Sequence, residues 1–204
     1  MKPVIKEILC CLVSLLLFSA CRKDTPLLPQ ASIKLETIPL SDTLPHIIAM
    51  NTLLTGNHPW YIKGWTYVNN EASLRIEPGA IINISPGEQY ESGGLVVTRG
   101  AFIYAAGTDQ MPVTFNIRGA GNIILLGKAP VGKPYHLLDN TELPVLNSLA
   151  YGGDNSEDSS GVMQHVVIYS GNKGLMLLGT GSKTFLEDVL QLPNKIKMNC
   201  PHLP

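Results

Sequence analysis

The sequence predicts an all-β solenoid, a right-handed parallel β-helix, and three observations predict it. The segment Ser73-Leu-Arg-Ile-Glu-Pro-Gly-Ala-Ile-Ile-Asn-Ile84 is echoed by Gly94-Leu-Val-Val-Thr-Arg-Gly-Ala-Phe-Ile-Tyr-Ala105 at a constant offset of 21 residues. Short β-type runs are broken again and again by Gly and Pro, of which there are 19 and 15. No convincing amphipathic helix follows residue 22. A repeat of this length is the mark of an architecture in which each repeat is one coil stacked on the last. A β-sandwich also uses many short strands and is the competing architecture, but the in-phase repeat favours the solenoid.

The chain divides into four stretches. Residues 1–20 carry Lys2 and Lys6 ahead of an apolar run from Ile8 to Ala20. A bilayer-spanning helix needs about 20 apolar residues, so the run is too short to span and fits the core of a signal peptide. It closes on Phe18-Ser19-Ala20-Cys21, two small residues before a cysteine, which resembles a bacterial lipobox. The expectation is cleavage before Cys21 and lipidation of its thiol, giving a protein lipid-anchored in the cell envelope, at the outer membrane. A single acyl chain binds weakly at about 0.8 kcal/mol per buried methylene, so the stable anchor is two or three chains. Residues 21–45 contain four prolines and little periodicity, and read as an extended tether. Residues 46–192 form the β-helix domain, and residues 193–204 an irregular tail.

Composition excludes some functions. The chain has 15 basic and 16 acidic residues, and loss of Lys2, Lys6 and Glu7 with the leader leaves a net charge of −2. That is no electrostatic footprint for nucleic acid. Cys10 and Cys11 leave with the leader and lipid consumes Cys21, so Cys200 alone remains. No intrachain disulfide or cysteine-based zinc site is then available, and packing has to hold the domain together.

The repeat carries a definite packing expectation. Strand side chains alternate, so Leu74 and Ile76 point inward, Arg75 and Glu77 outward, and after the turn Ala80, Ile82 and Ile84 point inward again. With a 21-residue coil, Leu74 stacks on Leu95, Ile76 on Val97, Ala80 on Ala101 and Ile82 on Ile103.

Several motifs appear in a fixed order: Gly64-Trp-Thr-Tyr-Val68, the two repeat segments, Ile124-Leu-Leu-Gly-Lys-Ala-Pro130, Tyr151-Gly-Gly153, Asp158-Ser-Ser-Gly161, Val167-Ile-Tyr-Ser-Gly171 and Gly174-Leu-Met-Leu-Leu-Gly-Thr-Gly181. As a set they resemble Bacteroidota cell-surface lipoproteins with a parallel β-helix, similar to the pectin-lyase-like fold. The resemblance covers roughly residues 50–190 and implies fold and location more than activity. This chain has Arg118-Gly-Ala-Gly-Asn122 where members carry a Gly-Asp-Trp-Gly-type stretch. Members also run on for more coils, so a truncated member is expected.

The candidate binding residues are aromatic. If Ala101, Ile103 and Ala105 face in, Phe102 and Tyr104 face out, and Trp60, Trp65 and Tyr67 extend the strip. Aromatic faces suit sugars and partner proteins, and exposed apolar patches mark interaction sites. The opposing expectation is that a loop such as 127–150 folds over the strip and buries it. The densest acidic cluster, Asp154-Asn-Ser-Glu-Asp158, places Asp154, Glu157 and Asp158 as a candidate calcium site, since calcium takes about six to eight oxygen ligands. Asp, Asn and Ser also cap solvated turns, which is the plainer reading. The five histidines show no metal-ligand spacing, and nucleophile-elbow, phosphate-loop and dinucleotide motifs are missing. The leading functional expectation is therefore a non-catalytic β-helix surface binding a glycan, the envelope or a protein. The alternative is a carbohydrate-active enzyme, a polysaccharide lyase or hydrolase.

Overall fold

The computed structural model describes residues 35–88, 92–132, 136–138 and 149–194. The chain winds as a right-handed parallel β-helix. Three strands make each of the first three coils: β1 (Ile47–Ile48), β2 (Thr52–Leu54) and β3 (Pro59–Lys63); β4 (Trp65–Val68), β5 (Ser73–Ile76) and β6 (Ile81–Ser85); β7 (Gly94–Val97), β8 (Phe102–Ala106) and β9 (Val113–Ile117). β10 (Asn122–Leu126) opens a fourth coil, which is interrupted by an insertion holding the antiparallel pair β11 (His136–Leu138) and β12 (Leu149–Tyr151). It resumes in the long β13 (Gly161–Ser170). The fifth coil is β14 (Gly174–Leu178) and β15 (Phe185–Pro193).

Stacking of equivalent strands generates the faces. The first is β1-β4-β7-β10-β14, parallel throughout. The second begins β2-β5-β8 and the third β3-β6-β9, and β13 joins them by pairing with β8 through its first half and β9 through its second. The corner between these two faces, six residues long at 107–112 in the third coil, shrinks in the fourth and fifth to single residues with left-handed backbone, His165 (φ 46°) and Asp188 (φ 50°). His and Asp are among the few side chains that tolerate this region. The uninterrupted parallel ladder excludes the sandwich.

Inner ladders hold the coils together. On the third face Trp60, Ile82, Phe115 and Ile168 stack in register, and on the second Leu54, Ile76, Ala105 and Met163 do so. Every one of these is buried. The residues expected inside (Leu74, Ile76, Ala80, Ile82, Ile84, Leu95, Val97, Ala101, Ile103 and Ala105) are buried too.

The expected stacking, however, is corrected. Leu74 pairs with Ile103 rather than Leu95, and Ile82 with Phe115 rather than Ile103. Leu95 instead pairs with Thr66 and Ile123 on the first face. The 21-residue offset equates β5–β6 with β7–β8, which are neighbouring faces rather than stacked ones. Both units are strand, corner, strand, and Leu74 to Ile82 and Leu95 to Ile103 each span eight residues. A slip of one strand therefore turns the true 29-residue step from Leu74 to Ile103 into an apparent 21. Alternation fixes which side chains go in, but it is identical on every face.

Residues 35–45, expected within a free tether, lie on the first coil. Thr37 bridges to Thr52 and Thr43 to Tyr61, and Leu44 is buried in the core cluster. The arm covers the backbone edge that β2 and β3 would otherwise expose.

Phe115→Ala should cost about 3–5 kcal/mol, because the ring is fully enclosed in the central coil and leaves a cavity. Urea denaturation monitored by far-ultraviolet circular dichroism measures it. A loss under about 1 kcal/mol would contradict the ladder.

Candidate functional site

The aromatic residues expected to form one strip are divided among three environments. Phe102 and Tyr104 project from the second face, half-buried and exposed respectively. Trp60 is inside the solenoid, with its indole Nε1 donating to the Thr55 carbonyl at 2.9 Å. It is corrected from a surface residue to a core one, because β3 reads exposed-buried-exposed-buried-exposed with Trp60 on the inner phase.

Trp65 and Tyr67 face outward from the first face but are covered. They form a second apolar cluster with Val96, Ile124, Leu126 and Leu149, with Tyr151 packed on it. Leu149 and Tyr151 belong to the insertion. A covering loop was the opposing expectation, and it operates on this face rather than over Phe102 and Tyr104. Gly94 makes room for the Trp65 ring, since a β-carbon there would collide with it. The Tyr67 hydroxyl finds no hydrogen-bond partner among the described residues, and burial pushes it up to about 12.

A groove of about 330 Å³ lies on the second face, lined by Glu36, Ser73, Arg75, Phe102 and Tyr104. Arg75 and Tyr104 are stacked neighbours in adjacent coils. The Arg75 guanidinium carbon lies 5.6 Å from the centre of the Tyr104 ring, and its Nη1 is 3.7 Å from Glu36 Oε1. The Ser73 hydroxyl donates to Asn51 Oδ1 at 2.8 Å, which fixes the groove's other wall. An exposed cation–π contact contributes about 0.5–1 kcal/mol and an exposed ion pair at most about 1. Arg75 is thus aimed across the groove but only weakly held. Glu36 was hidden from sequence reading, because nothing in the proline-rich arm signals that it returns to the domain.

The three carboxylates of the candidate calcium loop stand in separate settings. Asp158 is buried, and its Oδ2 accepts from the Lys128 amide at 3.0 Å and the Ser160 hydroxyl at 3.2 Å, tying together the two ends of the insertion. Glu157 pairs with Lys183 at 3.0 Å, and Asp154 is exposed. Among the described residues no group of three or more His, Cys, Asp or Glu is placed to hold a metal. Asp158 and Glu157 are engaged by different partners, Lys128 with Ser160 and Lys183 respectively.

A cluster that sequence reading missed sits on the ridge between the second and third faces. His165 Nδ1 is 3.1 Å from Asp109 Oδ1 and 3.5 Å from Asp188 Oδ2. Beside it Gln164 Nε2 donates to Glu187 Oε2 at 2.6 Å. Only the stacking of three distant corners brings these side chains together, so spacing along the chain carried no signal. Cys21, the expected lipidation site, lies outside the described residues.

The stacked parallel ladders of three faces define the class: a parallel β-helix domain. The chain belongs to the pectate-lyase-like beta helix domain family, whose model matches residues 46–192. No curated protein and no solved structure matches it.

Tyr67→Phe should leave stability unchanged or raise it, since the hydroxyl is buried without a described partner. The wild type should also lose stability between about pH 10 and 12, where the unfolded tyrosine ionises and the buried one keeps its proton. Below pH 10 both states hold that proton and the contribution is flat. Thermal melts of both proteins from pH 8 to 11.5 test this, and parallel pH dependence would refute it.

Proposed function

We propose that the protein is an exported lipoprotein whose β-helix serves as a non-catalytic binding surface for a glycan or an envelope partner. The observation that carries this reading is the second-face groove, where a cation and two aromatic side chains stand in adjacent coils at about 4.8 Å per step. Rungs so spaced suit a ligand with a repeating backbone. Weak internal tethering of Arg75 leaves its donors for a ligand to recruit, while Phe102 and Tyr104 supply flat apolar contact. The lipobox-like Phe18-Ser19-Ala20-Cys21 supports a lipid-anchored position at the outer membrane.

A second reading, a polysaccharide lyase or hydrolase, draws on one observation besides family membership. Two carboxylates lie within 3.5 Å of Nδ1 of His165, and a carboxylate accepting from that nitrogen would leave the other to exchange a proton.

Arg75→Ala combined with Tyr104→Ala should weaken retention on immobilised cell-envelope glycans at least tenfold, with the melting temperature unchanged. Unaltered retention would sink the groove. Incubation with uronic-acid polysaccharides should yield neither unsaturated-end absorbance nor new reducing ends. Product that disappears in His165→Asn would install the enzyme instead. Cys21→Ala should move the protein from the membrane to the soluble fraction and abolish fatty-acid labelling.

A further inference from the structure

The third face is built differently from the second. Its outward columns run Pro59, Ile81, Thr114, Val167 and Leu190, and beside them Tyr61, Asn83, Asn116, Tyr169 and Leu192. Neither column contains a charged side chain. Exposed strands of soluble domains ordinarily carry charge to stay soluble and unpaired, and here Tyr61 and Ile81 are each at least 40% exposed instead. The second column has an internal order. Asn116 Nδ2 donates to Asn83 Oδ1 at 3.0 Å, and a tyrosine lies one coil beyond each end of that amide pair.

We propose that this column is a second binding site, for an uncharged polysaccharide chain lying along the solenoid axis. The amide pair uses one donor of Asn116 and one lone pair of Asn83, leaving both N–H groups of Asn83 and the carbonyl of Asn116 for ligand hydroxyls. The mutual bond fixes both amides before the ligand arrives, which lowers the ordering cost of binding. Tyr61 and Tyr169 are three coils apart, about 14 Å at the parallel-strand spacing, so a ring can cover a sugar at either end of the amide pair. Neither column itself carries a carboxylate or a cation; the nearest cations, Lys63 and Arg118, stand two residues along the chain from Tyr61 and Asn116, at the border of the column. The site is independent of the groove, which shares no residue with it.

The test is affinity electrophoresis of the full-length protein, solubilised in detergent, through gels containing hydroxyethylcellulose or, separately, polygalacturonate. Hydroxyethylcellulose should retard the wild type and the Arg75→Ala/Tyr104→Ala variant equally. Tyr61→Ala with Tyr169→Ala should abolish at least nine-tenths of that retardation, and Tyr→Phe at both positions should restore it. Circular dichroism of each variant should match the wild type, as the side chains face outward. Absence of retardation by the neutral polymer overturns the site, as does retardation that the double alanine variant leaves intact. So does a wild-type dimer that the alanine variant dissociates in light scattering, which would make the face a contact between copies. Failure of the groove variant on envelope glycans is a separate readout and bears only on the second face.

Discussion

Every other feature of this domain depends on one constraint: each coil has to deliver an apolar side chain at the height where its neighbours deliver theirs. Trp60, Ile82, Phe115 and Ile168 satisfy it on the third face although 22, 33 and 53 residues separate successive members. Parallel pairing makes this possible because the backbone ladder is indifferent to what happens between strands. The side chains differ widely in size, from Trp60 to Ala105, and the faces compensate for one another across a shared interior rather than each being uniform. Without disulfides to fall back on, the domain relies on that continuity.

The same constraint explains where the chain tolerates change. The connections that follow Ser85, Ala106 and Leu126 all leave at corners, where the ladder is not interrupted. The largest departure is closed at its base by the buried Asp158 carboxylate, which takes the Lys128 amide on one side and the Ser160 hydroxyl on the other. Corners also contract. At His165 and Asp188 a whole loop is replaced by a single left-handed residue, and β13 becomes long enough to serve two faces. Stacking two such corners beneath Asp109 creates the His165 cluster as a by-product of geometry.

Fold and sidedness were legible in the sequence because alternation is a local property, written within four or five residues. Leu74, Ile82, Leu95 and Ile103 could each be placed inside from their own segments. Which coil each belonged to could not, since the eight-residue spacing from strand to strand recurs on every face and the shorter alignment mimics a period. The candidate sites were less legible for a related reason. Phe102 and Tyr104 were found because they lie on the outer phase of a well-marked strand. Trp60 sits on the inner phase of a strand whose alternation is plain only once its pairing with β6 is known. Trp65 and Tyr67 depend on a segment far along the chain that closes over them, and Glu36 on an arm with no periodicity at all.

Because the inner ladders carry the fold, the three outer surfaces are free to differ, and they have done so. The first is apolar and covered, with Trp65, Tyr67, Val96 and Ile124 serving as a base for the insertion. The second combines Arg75 with Glu36 across an open groove. The third carries amides and tyrosines in a charge-free column, with Lys63 in the register beside it. A globular core of this size would have to commit most strand faces to a single interior. A solenoid exposes one side of every strand, so neighbouring columns can be tuned to unlike ligands without disturbing each other's support. The charge contrast between Arg75 and the Asn83–Asn116 pair is therefore a difference between surfaces that share a scaffold, and it resides in the outward residues while the inner ladders are common to both.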